Sequence, residues 1–223
     1  MFDDPVAREF DRWAREGTDR AMERGHSRFT EVALARWTLG AEDRVLDVGC
    51  GNGWAVRRMI DLGAGEGIGV DVSAEMVARA TAPGHYLQAA ADALPIPTAH
   101  VSHVLSVEAL YYTADPEAAL REWARVARPG APLMVLIDLY RENPCSRIWE
   151  PLFPFPVQVR GEQAWAEAIS GCGWAVRGTD RILDPRGPIP EGEFEPNPWA
   201  PSYDDYLAEK RAGTLCLEAV RVS

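Results

Sequence analysis

The stretch RVLDVGCGNG, residues 44–53, decides the fold of this chain. Aliphatic residues surround the acid Asp47, and glycines follow at Gly49, Gly51 and Gly53. This order predicts a short buried strand that ends in a glycine-rich turn, because glycine lets a backbone approach another group closely. In an open parallel sheet, ligands lie at the carboxyl ends of the strands. The stretch therefore predicts a first strand–helix turn that holds a ligand.

Strands and helices alternate after this turn. The segments GIGVDV, HVLSV and PLMVLID are typical of strands, while WAVRRMIDLG and DPEAALREWARVARPG have the apolar spacing of helices. Repeated units with such apolar strands predict an α/β fold of the doubly wound type, with a mostly parallel sheet and helices on both faces. The last strand, TLCLEAVRVS, follows its predecessor without an obvious parallel crossover, so we expect it to run antiparallel.

Composition limits the partners and the compartment that we expect. The chain has 223 residues, of which 47% are hydrophobic, and a formal net charge of −11 with no run of Lys or Arg. The length predicts a single domain, and the charge predicts no nucleic-acid partner. Without a signal peptide or a long apolar run, we expect a cytoplasmic protein with no membrane partner. The four widely spaced cysteines predict reduced thiols and no metal site.

A dinucleotide is one possible ligand for the glycine turn. The fingerprint G-x-G-x-x-G, started at Gly49 or Gly51, needs its third glycine where Trp54 or Val56 stands. Asp47 would also place a carboxylate beside the pyrophosphate, where repulsion in a poorly solvated cleft is costly. The turn therefore favours a nucleoside with an amino-acid tail over the cofactor of a nicotinamide-dependent oxidoreductase.

Four stretches together resemble one known family. VLDVGCGNG, GIGVDVS, AADALPIP and LREWARVARPG match, in order and spacing, the motifs of class I methyltransferases that use S-adenosylmethionine. The resemblance covers roughly residues 42–138 and continues more weakly into the closing strands. It implies a Rossmann-like, seven-stranded sheet with an antiparallel last strand. It also implies S-adenosylmethionine as the methyl donor and S-adenosylhomocysteine as the product.

The resemblance assigns the nucleoside half of the donor to two acids. Asp71 would accept hydrogen bonds from the ribose hydroxyls; as an alternative, it would be a turn acid before the helix that Ser73 opens. Asp92, with the backbone of Ala93, would bind the adenine edge, or else Asp92 would be a solvated acid of a surface turn. Val72 would pack against the adenine face.

The resemblance assigns the methionine half of the donor to the glycine turn. Gly49, Gly51 and Gly53 would form a backbone cradle, and Asp47 would face the amino group directly or through water. Ser106 would lie near the sulfur. No metal ligand is expected in this site.

Catalysis requires little beyond the alignment of the acceptor's nucleophile with the donor's methyl group, because the sulfonium methyl is already activated. A base is needed only if the acceptor must lose a proton. His26 and Tyr111 are the catalytic residues that we expect, although a surface histidine and a packing aromatic are the competing interpretations. The wider set of acceptor-side residues is Glu108, Tyr112, Asp138 and Tyr140.

The remaining segments predict how the chain is organised. We expect an N-terminal helical lid (1–40), a donor-binding core (41–138), and acceptor-side insertions with the closing strands (139–223). The aromatic and Pro-rich insertions at 142–159 and 184–201 would enclose a small-molecule acceptor. We expect a monomer or a homodimer. The alternatives are a non-catalytic protein that binds S-adenosylmethionine or S-adenosylhomocysteine, and a methyltransferase that modifies a protein side chain.

Overall fold

A computed structural model describes residues 4–223 as a seven-stranded mixed sheet between layers of helices. The strands are β1 (Arg44–Val48), β2 (Glu66–Asp71), β3 (His85–Gln88), β4 (His103–Val107), β5 (Pro132–Ile137), β6 (Trp174–Ile182) and β7 (Thr214–Arg221). Their order in the sheet is β3-β2-β1-β4-β5-β7-β6. All pairs among β1 to β5 are parallel, whereas β7 is antiparallel to both neighbours, β5 and β6. The predicted fold, including the antiparallel last strand, is confirmed.

Eight α-helices occur in the described part of the chain. They are α1 (Pro5–Glu16), α2 (Thr18–Leu34), α3 (Trp54–Asp61), α4 (Ala74–Arg79), α5 (Pro116–Val126), α6 (Ser146–Trp149), α7 (Glu162–Gly171) and α8 (Tyr203–Ala212). Short 3₁₀ turns cover Leu110–Tyr112, Glu150–Leu152 and Glu191–Glu193. Within residues 4–223, no helix is long and apolar enough to cross a membrane. The cytoplasmic location stays a prediction.

The core lies on both faces of the sheet. Successive residues of a strand point to opposite faces, so Leu46 packs in one cluster with Trp123 of α5, while Val45 packs in another with Met59 of α3. The first cluster also holds Trp165 of α7, which is fully buried. This two-sided burial explains why the strands read as nearly continuous apolar runs.

Side-chain caps begin the helices where the sequence indicates. The carboxylate of Asp115 accepts a hydrogen bond from the backbone N–H of Ala118 at 2.9 Å, with Pro116 in the first turn of α5. The hydroxyl of Ser73 accepts from the N–H of Met76 at 3.0 Å at the start of α4. Each cap satisfies one N–H that the helix leaves unpaired.

The strand order brings four loops to one edge of the sheet. Strands that follow β1 in the chain lie on both sides of it, and such a reversal opens a crevice at the carboxyl ends. The glycine turn follows β1, Asp71 ends β2, Glu108 follows β4 and Asp138 follows β5. Local sequence thus places these groups around one crevice.

The two N-terminal helices cover this crevice. They meet at Gly17, whose φ of 79° is in the left-handed region. Asp11 of α1 accepts hydrogen bonds from the Ser73 hydroxyl at 2.6 Å and from the Glu75 N–H at 3.1 Å, which attaches α1 to the start of α4. His26 lies in the middle of α2, which runs from Thr18 to Leu34.

Candidate active site

A first cavity of about 690 Å³ lies at the carboxyl ends of β1, β2 and β4, beneath α1 and α2. Six of the predicted donor-binding residues line it: Asp47, Gly49, Gly51, Asp71, Val72 and Asp92. Gly53, Ala93 and Ser106 are not among the lining residues. The hydroxyl of Ser106 is buried and donates to the carbonyl oxygen of Val48 at 3.0 Å, so it joins the ends of β4 and β1.

Asp71 accepts two backbone hydrogen bonds beside the first cavity. Its Oδ2 accepts a hydrogen bond from the N–H of Gly51 at 2.8 Å, and its Oδ1 accepts from the N–H of Ser73 at 2.9 Å. The carboxylate therefore holds the glycine turn and the start of α4 together. Burial raises the pKa of Asp71, although these N–H groups favour its ionised form. Asp71 is thus both an acid that stabilises a turn and a residue that lines the first cavity.

Asp47 is the least satisfied polar group of the cavity. It is 2% exposed, and its Oδ1 has no hydrogen-bond partner within residues 4–223. Burial, with a smaller contribution from the negative charge of Asp71, raises the pKa of Asp47 to about 8. Buried polar atoms in native proteins nearly always have a partner. An unpaired carboxylate oxygen beside a cavity therefore fits a ligand that brings a hydrogen-bond donor, such as an ammonium group.

The glycine turn is shaped by close approach at one glycine and by open space at another. A Cβ added to Gly49 would collide with the Cβ of Ala109, so the loop after β4 packs directly against the turn. A Cβ added to Gly51 would meet nothing within 4 Å, and Gly51 lines the cavity. Its φ of 52° favours glycine, and the space beside it is available to a ligand.

The charge of the first cavity is one-sided. Eight Asp and Glu side chains line it, whereas no Lys or Arg does so within the described residues. A pyrophosphate would meet only like charge there, which agrees with the missing third glycine of the dinucleotide fingerprint. The cavity suits a ligand with a net positive charge.

The turn also contacts α2 through a side chain that the sequence did not single out. The amide of Asn52 donates hydrogen bonds to Glu23 Oε2 at 2.9 Å and to Asp19 Oδ2 at 3.3 Å. Asp19 is buried and pairs with Arg79 of α4 at 3.4 Å. The N-terminal helices are therefore fixed to both sides of the crevice.

A second cavity of about 680 Å³ lies beside the first, over the carboxyl ends of β4 and β5. Both insertions predicted to lie on the acceptor side contribute to it, through Phe153 and Trp199 among others. Four residues line both cavities: Met22, His26, Glu108 and Tyr112. These four define the junction, where a group bound in one cavity meets a group bound in the other.

Of the two predicted catalytic residues, His26 lies at the junction. Its ring is 5.7 Å from that of Phe29. Burial lowers the pKa of His26 to about 4, so the imidazole is neutral at pH 7. A neutral imidazole can accept or donate a hydrogen bond, but so low a pKa makes it a weak base.

Tyr111, the other predicted catalytic residue, lines the second cavity only. It is 3% exposed, and its hydroxyl donates to Glu108 Oε2 at 2.8 Å. Burial, together with the charge of Glu108, raises the pKa of Tyr111 well above its usual value. The phenol therefore stays protonated at neutral pH and serves as a hydrogen-bond donor to Glu108.

Glu108 was only one of several acceptor-side residues in the sequence, yet it occupies the centre of the site. Its φ of 53° is rare for a residue other than glycine. Its Oε1 accepts from the backbone N–H of Asp138 at 2.6 Å, opposite the bond from Tyr111. Burial, with a contribution from Asp138, raises the pKa of Glu108 well above its usual value. A charged residue directly after an apolar strand was the available signal.

Three side chains outside this site are close enough together to bind a metal ion. Asp180, Cys216 and Glu218 come close together on β6 and β7, and Arg36 forms ion pairs with both acids. The guanidinium already compensates the two carboxylates, so this group has the character of a surface ion-pair cluster.

Comparisons with known proteins give consistent results. A family model described as a methyltransferase domain matches residues 46–135. The O-methyltransferase resE of Aspergillus sclerotiorum is 30% identical over 191 residues, 79% of this chain and 72% of that protein. The tRNA U34 carboxymethyltransferase of Saccharophagus degradans is 36% identical over 117 residues, 48% of this chain but only 36% of that protein.

A solved structure is similar over nearly the whole chain. It is a complex between the Haloferax volcanii Trm112 methyltransferase activator and a methyltransferase, with 34% identity and a TM-score of 0.90. The match covers 96% of this chain and 98% of that chain.

These similarities correct the partner prediction. We expected a small-molecule acceptor, no nucleic acid, and a monomer or homodimer, and the exclusion of nucleic acid came from the net charge of −11. The expectation is wrong, since one similar solved structure is a complex with a Trm112 activator and another relative is a tRNA U34 carboxymethyltransferase. Net charge is summed over one chain, and a second subunit can supply the surface that this chain lacks.

Proposed function

Because the chain belongs to the class I S-adenosylmethionine-dependent methyltransferases, we propose that it methylates an acceptor held in the second cavity as one subunit of a complex with a Trm112-like activator. The observation that carries this proposal is the pair of cavities that share Glu108, His26, Met22 and Tyr112. One cavity takes the donor, and the other brings a nucleophile to the donor's methyl group.

The first cavity fits the donor group by group. Asp47 has an unpaired carboxylate oxygen for the ammonium, and the open space at Gly51 admits the methionine part. Asp71 retains acceptor capacity for ribose hydroxyls beyond its two backbone bonds, because each carboxylate oxygen accepts more than one hydrogen bond. Asp92 lines the cavity and is exposed, with Val72 nearby for the adenine face.

The three predicted donor-binding residues that do not line the cavity act indirectly in this proposal. The hydroxyl of Ser106 fixes the Val48 carbonyl at the start of the glycine turn. Gly53 packs against the ring of Tyr86, and that close contact leaves no space for a Cβ. Ala93 N–H donates to the carbonyl of Ala90 at 3.1 Å, which closes the turn that carries Asp92.

The donor supplies an activated methyl on a positively charged sulfur. The residues of this chain align the acceptor and exclude water, and such positioning can contribute about 7–11 kcal/mol in favourable cases. At the junction, the buried side chain of Glu108 and the ring of Tyr112 limit solvent. In this proposal, Tyr111 orients Glu108 through its hydroxyl, and His26 offers a neutral imidazole to the acceptor.

The proposed organisation follows the predicted division of the chain. In this proposal the segment 1–40, of which 1–3 lie outside the described residues, forms the lid, 41–138 bind the donor, and 139–223 supply the acceptor side. Support comes from α1 and α2, which line both cavities, and from Phe153 and Trp199, which line the second.

Two measurements test the two halves of the proposal separately. Isothermal titration with S-adenosylmethionine and S-adenosylhomocysteine should show one site per chain, and no binding of either would refute the donor half. Co-expression with a Trm112-like protein encoded in the same genome should give a 1:1 complex on size-exclusion chromatography with light scattering. If the chain elutes alone at micromolar concentration, the activator half is wrong.

A further inference from the structure

The floor of the second cavity carries two acids without a cationic partner. Glu108 and Asp138 form no ion pair within residues 4–223, whereas the other acids of this cavity do. Arg28 pairs with Asp184 at 3.2 Å, and Lys210 lies 3.1 Å from Glu209. Glu108 and Asp138 are therefore the carboxyl groups of this cavity that a bound acceptor can engage without breaking an ion pair.

The protein holds these two acids in a fixed arrangement. Glu108 accepts from the Asp138 N–H at 2.6 Å and from the Tyr111 hydroxyl at 2.8 Å. Its positive φ persists because both of these bonds and the buried surroundings fix it. Strained backbone of this kind clusters at functional sites. Here it directs a carboxylate to the boundary between donor and acceptor.

The titratable groups around the pair leave Asp138 able to take a proton. Burial raises the pKa of Asp138 to about 6, against a hydrogen bond from Thr214 that lowers it; the charge of Glu209 raises this pKa and that of Lys210 lowers it. Tyr111 and Tyr112 stay protonated, because burial raises the pKa of each. At pH 7, Asp138 is mostly ionised, and a base works best when its pKa lies near the working pH.

Aromatic rings also line the second cavity. The rings of Trp13, Phe153 and Trp199 lie 5.8 to 6.5 Å apart and come from α1 and from both insertions. The indole N–H of Trp149 donates to the Trp199 carbonyl at 2.6 Å, which fixes the loop that carries Trp199. Trp199 is 41% exposed and stands where a ring could enter.

We propose that the acceptor is a flat ring bearing an O–H or N–H group, which packs among Trp13, Phe153 and Trp199, is oriented by Glu108 and gives its proton to Asp138. This inference rests on the proposed function of the two cavities. The heteroatom's electron pair forms the bond to the methyl carbon, and the carbon–sulfur bond breaks with its pair left on sulfur. The proton goes to the Asp138 carboxylate, so no oxidant or metal is required.

A nucleobase of RNA and a ring-containing metabolite share this chemistry. The experiment incubates the chain, with its activator if the complex forms, with methyl-labelled donor and two pools from cell extract: total RNA and small molecules. Mass spectrometry of digested RNA and of the metabolites then identifies the labelled atom and its source. We expect label on a ring-attached oxygen or nitrogen in one of the two pools.

Variants test the assigned residues on whichever pool takes label. Asp138→Asn should lower kcat by about 100-fold or more, leave donor affinity unchanged and remove the acidic limb of the pH–rate profile. Trp199→Ala, at a side chain that is 41% exposed, should raise the acceptor KM about tenfold. Asp61→Asn is the matched control, because Asp61 is exposed and lines neither cavity.

Failure of the proposed function and failure of the ring inference give different results. If neither donor nor product binds, the proposed function fails. If the donor binds but label appears on an atom other than an oxygen or nitrogen in or attached to a ring, or nowhere in either pool, only the ring inference is overturned. Asp138→Asn with a wild-type rate and pH profile would overturn the assignment of the base.

Discussion

Replacing Asp47 with asparagine should increase the stability of the protein without donor and weaken its affinity for the donor. The carboxylate is buried, and its Oδ1 is unpaired within the described residues, so its ionised form is disfavoured until a donor arrives. Asparagine has nearly the same shape but no charge to desolvate. Stability and binding should therefore change in opposite directions, as expected of a group that is kept for a ligand.

The size of the effect follows from the pKa. The pKa of Asp47 rises from 3.8 to about 8 in the folded chain, so the folded state holds the carboxyl proton more tightly than the unfolded state does. As pH rises from about 4 to about 8, the unfolded chain loses the proton first, and folding is penalised by up to about 1.4 kcal/mol per pH unit. The penalty is present in full above pH 8 and absent below pH 4. At pH 7 its upper bound is about 4 kcal/mol.

Binding should show the reverse sign. An ammonium beside Asp47 favours the ionised carboxylate, so donor binding near pH 7 releases a proton and strengthens towards pH 8. Loss of a hydrogen bond to a charged group costs about 1.5–3 kcal/mol, which predicts about 10- to 150-fold weaker binding to Asp47→Asn. S-adenosylhomocysteine is a suitable probe, since it carries the same amino group.

Urea unfolding of wild type and Asp47→Asn between pH 5 and pH 9 measures the first effect. Calorimetric titration in two buffers of different ionisation enthalpy measures the released proton. Asp61→Asn, an exposed acid, is the control and should alter neither. A stability difference that does not change with pH, or an unchanged proton release in the variant, would refute the role of Asp47.

Three further predictions concern the turn and the lid. Asp71→Ala removes the acceptor for the Gly51 and Ser73 N–H groups, so we expect thermal melting to show a loss of about 1–3 kcal/mol in unfolding free energy and titration to show weaker donor binding. Normal stability of this variant would show that the turn does not need these bonds. Gly51→Val places a branched side chain in the open space of the first cavity, so donor binding should be lost in calorimetry, and binding at wild-type affinity would mean that the donor lies elsewhere. Donor binding should slow hydrogen exchange in Pro5–Glu16, and equal exchange with and without donor would argue against a lid.

Much of the fold was predictable because its signals are local. The glycine turn after β1, the Asp115 cap of α5 and the apolar run of β5 each depend on residues close in sequence. The parallel order follows from alternating strands and helices, since a crossover connection forces neighbouring strands to run in the same direction. For the antiparallel β7 the local signal was weaker, because α8 lies between β6 and β7, and the family resemblance implied the same direction.

The site was less predictable because its contacts join distant parts of the chain. Asn52 reaches Glu23 across 29 positions, and Glu108 reaches the backbone of Asp138 across 30. No periodicity in the sequence encodes such pairs. Ser106 shows a different difficulty: the motif indicated the right strand, but the side chain points to the Val48 carbonyl and not into the cavity. Motif position fixes the element, and strand geometry decides the direction of each side chain.

The net charge of the whole chain led to a wrong partner prediction, whereas the local charge of the first cavity agrees with the proposed donor. The sum of −11 over the chain describes how the whole surface repels a polyanion, and an added subunit can change that surface. The eight acids and absent Lys and Arg of the first cavity act on whatever enters it, at short range and in a poorly solvated space. Such a cavity attracts a ligand with a sulfonium and an ammonium against one carboxylate, and it attracts the product less, because the product has lost the sulfonium charge. The same local excess of acid therefore serves both the entry of the donor and the departure of the product.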